Sequence, residues 1–172
     1  VTDYNQHCVL VMKEDGTHVN MFGAQGHQPG ELYCPMGIAL SEGRLYVTEV
    51  EHRVQVFEKN GDFVASYGSE GQGRDNFSNP GGLTIVGDTI FVANTSNHRI
   101  QRLNKKSGEF LGPFGTEGSA LGQLNCPTDV TALGGVLFVA DCSNSRVQMF
   151  DLEGLPLGAI GSRGKGEGQL YC

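Results

Sequence analysis

The chain has 172 residues, a formal net charge of −7 and an ordinary hydrophobic fraction of 38%. Its length corresponds to one domain with enough apolar sequence for a core, and it contains no apolar run of the roughly 18 residues that a membrane-spanning helix needs. Glycine is abundant, at 26 residues. With a normal hydrophobic content, this abundance indicates many tight turns rather than disorder.

One pattern occurs four times along the chain. The aliphatic residue at one position of each repeat gives the register: Val9, Val54, Ile100 and Val147. Successive members of this set are separated by 45, 46 and 47 residues, and a fixed period in this range is typical of a repeat architecture. We therefore expect a single repeat domain over residues 1–172. Its repeats run at about 1–34, 35–79, 80–126 and 127–172.

The predicted elements follow the same order within each repeat. In the second repeat Pro35 opens a short apolar strand, a tight turn follows at Gly43, and residues 45–47 form a β-branched and aromatic strand. A polar turn leads to a third strand around Val54, and a further glycine turn leads to a fourth strand at 63–68. Short, evenly spaced strands predict an all-β fold. Four strands per period correspond to one antiparallel blade of a β-propeller, so we expect three complete blades and a partial one.

A short motif follows the second strand of each repeat: Gln6-His7-Cys8, Glu51-His52-Arg53, Asn97-His98-Arg99 and Asn144-Ser145-Arg146. Together with the Phe-Gly pairs, the Gly-x-Gly loops and the opening prolines, this motif resembles the NHL-repeat β-propeller family, as in TRIM-NHL proteins. The resemblance spans essentially the whole chain. It implies a parent ring of six blades. The alternative is self-association of two arcs, because open propeller ends expose packing surface and unpaired strand edges.

The resemblance leaves several functions open, since the family includes ubiquitin-ligase substrate-recognition domains, RNA-binding domains, an amidating lyase and extracellular scaffolds. The lyase relatives are expected to hold zinc with histidines that point into the channel. The first strands of the repeats contain no histidine in this chain. A metal-dependent lyase or hydrolase is therefore the second alternative, behind RNA recognition.

The charge balance argues against nucleic acid as the main partner. In a propeller the turn after the second strand and the loop between blades lie on one face, here called the loop face. Its predicted acids are Asp3, Glu31, Glu49, Glu51, Glu70, Asp75, Glu117, Asp141 and Glu167. Its free bases are Arg74, Arg163 and Lys165. Because neutralised phosphates supply most of the affinity for nucleic acid, we expect no DNA, and RNA only as the alternative partner.

Aromatic side chains on the loop face bear on the same question, because single-stranded RNA binds by base stacking. Tyr4 is the one clear candidate for an exposed ring. Tyr33, Phe77 and Tyr171 lie at the ends of the blade-to-blade loops, where we expect them to be buried.

The recurring polar residues are interpreted as structural. His7, His52 and His98 lie on separate blades away from the axis, where they cannot converge on one metal ion. We expect these histidines, and the arginines of the same motifs, to pack and hydrogen-bond between neighbouring blades. The acid or amide before each motif is expected to accept backbone N–H bonds within its own turn. These residues are Asp3, Glu49, Asn94 and Asp141.

The chain has five cysteines. Cys34, Cys126 and Cys172 share one repeat position, where a small side chain suits a buried turn, and their separation on different blades argues against a disulfide among them. Cys8 and Cys142 show no pairing pattern. This usage favours a reducing compartment and hence the cytoplasm, with an extracellular location left open.

The blade-to-blade loops, at 24–31, 69–76, 116–123 and 162–169, vary strongly on regular strands, which is the usual arrangement of a recognition surface. We therefore predict a non-enzymatic scaffold that binds a protein partner, as in the substrate-recognition part of a ubiquitin-ligase-type protein. We expect no catalytic residue, cofactor, metal or membrane contact. The candidate partner-binding residues are Tyr4, His27, Val50, Arg74, Asp129, Arg163 and Lys165. Asp129 is a single carboxylate at the channel mouth, too few oxygens for a calcium site.

Overall fold

The computed structural model describes residues 1–171, which form four antiparallel β-sheets. The first sheet contains β1 (Thr2–Asp3), β2 (Cys8–Met12) and β3 (His18–Phe22). The second contains β4 (Pro35–Ser41), β5 (Arg44–Glu49), β6 (Arg53–Glu58) and β7 (Phe63–Tyr67). The third contains β8 (Pro80–Val86), β9 (Thr89–Asn94), β10 (Arg99–Asn104) and β11 (Phe110–Phe114). The fourth contains β12 (Pro127–Leu133), β13 (Val136–Asp141), β14 (Arg146–Phe150) and β15 (Pro156–Ile160).

Three four-stranded sheets and one three-stranded sheet confirm the prediction of three complete blades and a partial one. Within each complete blade the strands pair in chain order, from the first to the fourth. The residues that defined the period all lie on the strand next to the last, and each pairs with its neighbour: Val9 with Phe22, Val54 with Tyr67, Ile100 with Phe114, and Val147 with Ile160. Each period of the sequence therefore forms one sheet, and the strands pair in the same way in every sheet.

The core consists of three apolar clusters, one between each pair of neighbouring blades. Each blade-to-blade loop ends in an apolar residue that a short parallel bridge holds in place, and Leu32, Phe77 and Leu124 are all 0% exposed. The burial predicted for Phe77 is thus confirmed.

The same prediction is wrong for two tyrosines. Tyr33 is half-buried and Tyr171 is 67% exposed. Each follows the apolar residue at the end of its loop, Leu32 or Leu170. In extended chain, successive side chains point to opposite sides. The apolar side chain at the loop end therefore faces inward, whereas the tyrosine that follows it faces the surface.

The fourth blade has an apolar side that no described residue covers. Leu170 is 39% exposed, whereas the three equivalent residues are fully buried between blades. Ile160 and Leu157, on the last strand of the same blade, are also more than half exposed. Burial at this repeat position therefore comes from the next blade and not from the loop itself.

Candidate functional site

The loop face is built as the sequence predicts, because each turn after a second strand contacts the preceding blade-to-blade loop. The side-chain amide of Asn97 donates to the carbonyl oxygen of Gly71 at 2.9 Å. Asn144 donates to Gly118 in the same way, also at 2.9 Å. These bonds join neighbouring repeats at their loop ends, so the loops are carried on a fixed frame.

In each of the three complete blades, an arginine on the third strand holds the loop that precedes the blade. Arg146 donates to the carbonyl oxygens of Ser119 at 2.8 Å, Ala120 at 2.9 Å and Gln123 at 2.8 Å. Its Nε donates to the buried carboxylate of Asp141 at 2.7 Å. The arginines thus connect neighbouring blades, as expected, and their terminal guanidinium N–H groups donate to loop carbonyl oxygens.

The acid of the second blade has a similar environment. Glu49 is 0% exposed and accepts hydrogen bonds from the Tyr33 backbone N–H and from Gln55 Nε2, both at 2.7 Å. It also accepts a hydrogen bond from Arg53 Nε. Its carboxylate therefore belongs to the interior and not to the surface of the loop face.

The expected role of the recurring acids is correct for one of them and wrong for three. Asp3 accepts from the N–H groups of Asn5 and Gln6 in its own turn. The others accept a backbone N–H that lies 16 residues earlier, at the end of the preceding loop: Glu49, Asn94 and Asp141. The side chain reaches a neighbouring strand end instead of its own turn. With Glu49 and Asp141 buried, the loop face has two surface acids fewer than predicted.

The motif histidines make the hydrogen bonds between blades that the sequence predicts. Their Nδ1 atoms accept backbone N–H groups of the next blade, at 2.9 Å for His7 with Cys34, 2.9 Å for His52 with Asn79, and 3.1 Å for His98 with Cys126. Each Nδ1 atom therefore accepts a hydrogen bond at a different junction between blades, and the three imidazoles do not converge on one site.

The three donor residues explain the position that the cysteines share. Cys34, Asn79 and Cys126 have φ values of +49°, +52° and +48°. They are half-buried, so the constraint is the left-handed backbone and not a buried turn that needs a small side chain. Cys172, the last member of the set, lies outside the described residues.

The cysteines also correct one expectation. Cys8, Cys34 and Cys126 are free thiols, and burial raises the pKa of Cys8. Cys142, for which the sequence showed no pairing pattern, is disulfide-bonded. Cysteine usage therefore does not support the cytoplasmic assignment, which stays a prediction.

Four rings gather on the loop face where the first two blades meet, and we call them the ring cluster: Tyr4, His7, His27 and Tyr33. The Tyr33 ring contacts both imidazoles, with its centroid 5.0 Å from that of His7 and 5.0 Å from that of His27. The planes of Tyr33 and His7 are inclined by only 12°, which is a stacked geometry. Tyr33 is the ring that sequence reasoning assigned to the interior.

Polar contacts fix both ends of the ring cluster. His27 Nδ1 lies 3.0 Å from Glu51 Oε1. At the other end Tyr4 is 48% exposed, and a side-chain hydrogen bond with Cys34 raises the pKa of its hydroxyl. A partly exposed aromatic surface is thus joined to a carboxylate and held by contacts from both blades.

The other candidate residues lie elsewhere. Val50 is next to Glu51 in the turn of the second blade and is half-buried. Arg74 is exposed in the second loop, and in the fourth loop Lys165 Nζ lies 5.4 Å from the centroid of the Tyr171 ring. Arg163 is in the same loop, and its backbone pairs with that of Leu170 in a short parallel β-bridge. The structure therefore places Tyr4, His27 and Val50 in one region, whereas Arg74, Arg163 and Lys165 lie in other loops.

Asp129 lines a central cavity of about 440 Å³ between the first strands β4, β8 and β12. The cavity is otherwise lined by uncharged residues, among them Ile38, Leu83 and Thr131. Across residues 1–171, no three His, Cys, Asp or Glu side chains are grouped so that they could hold a metal ion. The same part of the chain contains no helix long and apolar enough to cross a membrane.

Comparison with known proteins points to one family. The sequence model described as "NHL repeat" matches residues 77–103 and 124–150, the turns and strands that carry the motifs of the third and fourth repeats. The chain is 40% identical over 65 residues to "RING finger protein nhl-1" of Caenorhabditis elegans. This match covers 37% of the chain but only 7% of that protein.

Solved structures share the fold at low sequence identity. A chain of a nidogen/laminin complex superposes with a TM-score of 0.72 at 22% identity, over 99% of this chain and 60% of that one. A streptogramin B lyase superposes with a TM-score of 0.67 at 14% identity, over 91% of this chain and 48% of that one. The chain thus spans less than two thirds of these relatives. The third and fourth repeats of this chain are therefore NHL repeats, and the chain as a whole has a β-propeller fold.

Proposed function

We propose that this chain is a non-enzymatic recognition scaffold that binds a protein partner through its loop face, with the ring cluster at the centre of the contact. The observation that carries the proposal is the Tyr33 ring, which stacks on His7 and contacts His27 at a tilt, near the exposed Tyr4. Tyrosines on a fixed surface supply much contact area at little cost in side-chain entropy, and they are enriched among residues that dominate binding energy.

The frame under the ring cluster supports the same function. The Tyr33 backbone is tied to the buried Glu49, and the loop that carries His27 is held by Arg53 through the carbonyl oxygens of Gln28 and Glu31, both at 3.2 Å. A surface that is ordered before binding loses less conformational entropy when a partner arrives. Because a RING finger protein is among the relatives, we extend the proposal to substrate recognition in a ubiquitin-ligase-type protein.

The charge of the loop face favours a protein over RNA as the partner. The bases on the loop face are Arg74, Arg163 and Lys165. Its acids outside the interior are Asp3, Glu31, Glu51, Glu70, Asp75, Glu117 and Glu167. A surface with this excess of carboxylates repels phosphates. The exposed rings are consistent with either partner, but the charge favours a protein.

The test is a selection of binding peptides from a random library displayed on phage, with the chain immobilised. The affinity of the selected peptide is then measured by calorimetry for the wild type and for Tyr4→Ala and Tyr33→Ala. Each substitution is expected to weaken binding about tenfold or more, as truncation of a central aromatic residue does. Val64→Ala, at an exposed position of the outer strand β7, is the control and should bind as the wild type does.

Two outcomes would overturn the proposal. The first is a selected peptide whose affinity is the same for the wild type and for both tyrosine variants. The second is the absence of any selected peptide together with binding of single-stranded oligouridylate, with an affinity that falls as salt is added. That result would assign the loop face to RNA.

A further inference from the structure

The central cavity is formed by a close approach of three first strands. A Cβ atom added at Gly37 would lie 2.8 Å from Gly82 Cα, and one added at Gly81 would lie 2.3 Å from the carbonyl oxygen of Thr128. Side chains at these positions would separate the strands. The glycines thus bring β4, β8 and β12 together around a space of about 440 Å³, within the range of ligand-binding pockets.

Asp129 is fixed on the wall of this cavity. Its Oδ1 accepts the backbone N–H of Val130 at 2.8 Å. The same oxygen lies against Gly82, because a Cβ added there would be 1.7 Å away. The carboxylate is therefore held by its own strand and by the neighbouring blade, and its orientation does not depend on a flexible surface contact.

The charge of Asp129 has no counter-ion in the described part of the chain, where the ion pairs all involve other acids. Asp129 is also the only charged residue among those that line the cavity. The remaining walls are aliphatic side chains, threonines and glycine backbone, including Met36, Ile38 and Leu83. A carboxylate that is exposed to the cavity, beside both aliphatic and polar surface, matches a ligand with one positive charge on a hydrocarbon stem.

We propose that the central cavity binds a cationic side chain of a protein partner, a lysine or arginine, with Asp129 as its counter-ion. The cavity lies at the beginning of the first strands, next to the loops that end at Leu32, Phe77 and Leu124. A partner seated on the loop face can therefore extend a side chain into it. The choice of a protein-borne cation rests on the proposed function, whereas the position of the site does not.

The experiment is an NMR titration of the ¹⁵N-labelled chain with Nα-acetyl-lysine N-methylamide. Its uncharged analogue, Nα-acetyl-norleucine N-methylamide, has the same stem and serves as the ligand control. The proposal predicts shifts of the Gly82 and Val130 amides with the lysine probe, a dissociation constant in the millimolar range, and weaker binding in added salt. The norleucine probe should produce no comparable shifts.

Two variants separate the charge of Asp129 from the charge of the protein. Asp129→Asn keeps the shape of the side chain and is expected to weaken the lysine probe at least tenfold. Glu14→Gln removes one charge from the exposed turn between β2 and β3 and should leave binding unchanged. Equal binding of both probes, no shifts at the cavity, or unchanged affinity in Asp129→Asn would each overturn the inference.

The outcomes also distinguish this inference from the proposed function. If the cavity fails while a peptide selected on the loop face still loses affinity in Tyr33→Ala, only the cavity proposal is wrong. If the cavity and the ring cluster both fail, the recognition function itself is contradicted.

Discussion

Asn94 lies beside Arg99 at the position where the neighbouring complete blades have a carboxylate, and the Nε of Arg99 is buried without a hydrogen-bond acceptor among the described residues. Asn94 Nδ2 donates to the carbonyl oxygen of Asn76 at 2.9 Å, so the amide offers a donor where Glu49 and Asp141 offer an acceptor. Burial lowers the pKa of Arg99, against the opposing effect of the nearby Asp75. The third blade therefore holds a partly desolvated cation without the acid that its repeat position provides elsewhere.

Replacing Asn94 with aspartate should stabilise the protein by about 1 kcal/mol, because a charge-assisted hydrogen bond then reaches Arg99 Nε. The urea midpoint measures the gain at pH 7. An aspartate paired in this way has a lower pKa in the folded state than in the unfolded one. Its contribution is therefore present above the unfolded pKa of about 4 and is lost as pH falls further.

The control for this change is Asn20→Asp, at an exposed position of β3, which should alter the midpoint little. A stability of Asn94→Asp equal to or below that of the wild type at pH 7 would contradict the assignment of Arg99 as an unpaired cation.

The opposite change in the second blade should be costly. Glu49→Gln keeps the size of the side chain but removes the charge that pairs with Arg53, whose side chain is 10% exposed while that of Glu49 is 0% exposed. Breaking a buried pair leaves an uncompensated charge, and we expect a loss of about 3 kcal/mol in the free energy of unfolding. Chemical denaturation measures it. Glu58→Gln makes the same change in the exposed pair with Arg44 and should cost less than about 1 kcal/mol.

The hydrogen bond from Cys126 to His98 can be tested without changing the preferred backbone conformation. His98 has a φ of +53°, and asparagine adopts this region more readily than most residues. His98→Asn removes the Nδ1 acceptor and should cost about 1–2 kcal/mol, since the Cys126 N–H then lacks its partner. His18→Asn, at an exposed position of β3, should have almost no effect on the thermal midpoint. Equal midpoints for the two variants would show that the bond contributes nothing.

Two glycines in turns separate steric fit from backbone strain. A Cβ at Gly108 would lie 2.1 Å from Tyr67 Cδ1, whereas one at Gly87 would meet nothing within 4 Å. Both have positive φ, +72° and +58°, so both alanine variants carry the cost of a left-handed residue, about 1 kcal/mol. Gly108→Ala must also displace the Tyr67 ring and should be the less stable by a further 1 kcal/mol or more. A larger effect at Gly87 would contradict the packing of Tyr67 on this turn.

The blades were predictable from the sequence because each period forms one sheet with the same pairing of strands. Positions such as Val54 and Ile100 fall on corresponding strands, and the alternation of short apolar segments with glycine turns is visible without any tertiary information. The histidine bonds between blades followed from the same repeat. They recur once in each of the first three periods, and each histidine bonds to the backbone of the blade that follows it.

The interior of the loop face was not predictable in the same way. Glu49 resembles a surface acid in the sequence, but Arg53 and the backbone of Tyr33, 16 residues earlier, enclose it. The exposure of Tyr33 depends on one residue of register after Leu32, which is fixed by the parallel bridge at Leu32 and by the hydrogen bond from the Tyr33 N–H to Glu49. Aligning the loops at their buried apolar residue, as at Leu32 and Leu124, instead of at the aromatic residue could have revealed both the enclosure of Glu49 and the exposure of Tyr33.

The most direct test of the account is the footprint of a bound peptide, measured by hydrogen–deuterium exchange with a peptide selected on the immobilised chain. Recognition by the ring cluster predicts that the peptide slows exchange in the backbone around Tyr4, His27 and Tyr33 and leaves the outer strands β7 and β11 unchanged. Protection confined to those outer strands, or no protection on the loop face at a saturating peptide concentration, would contradict it.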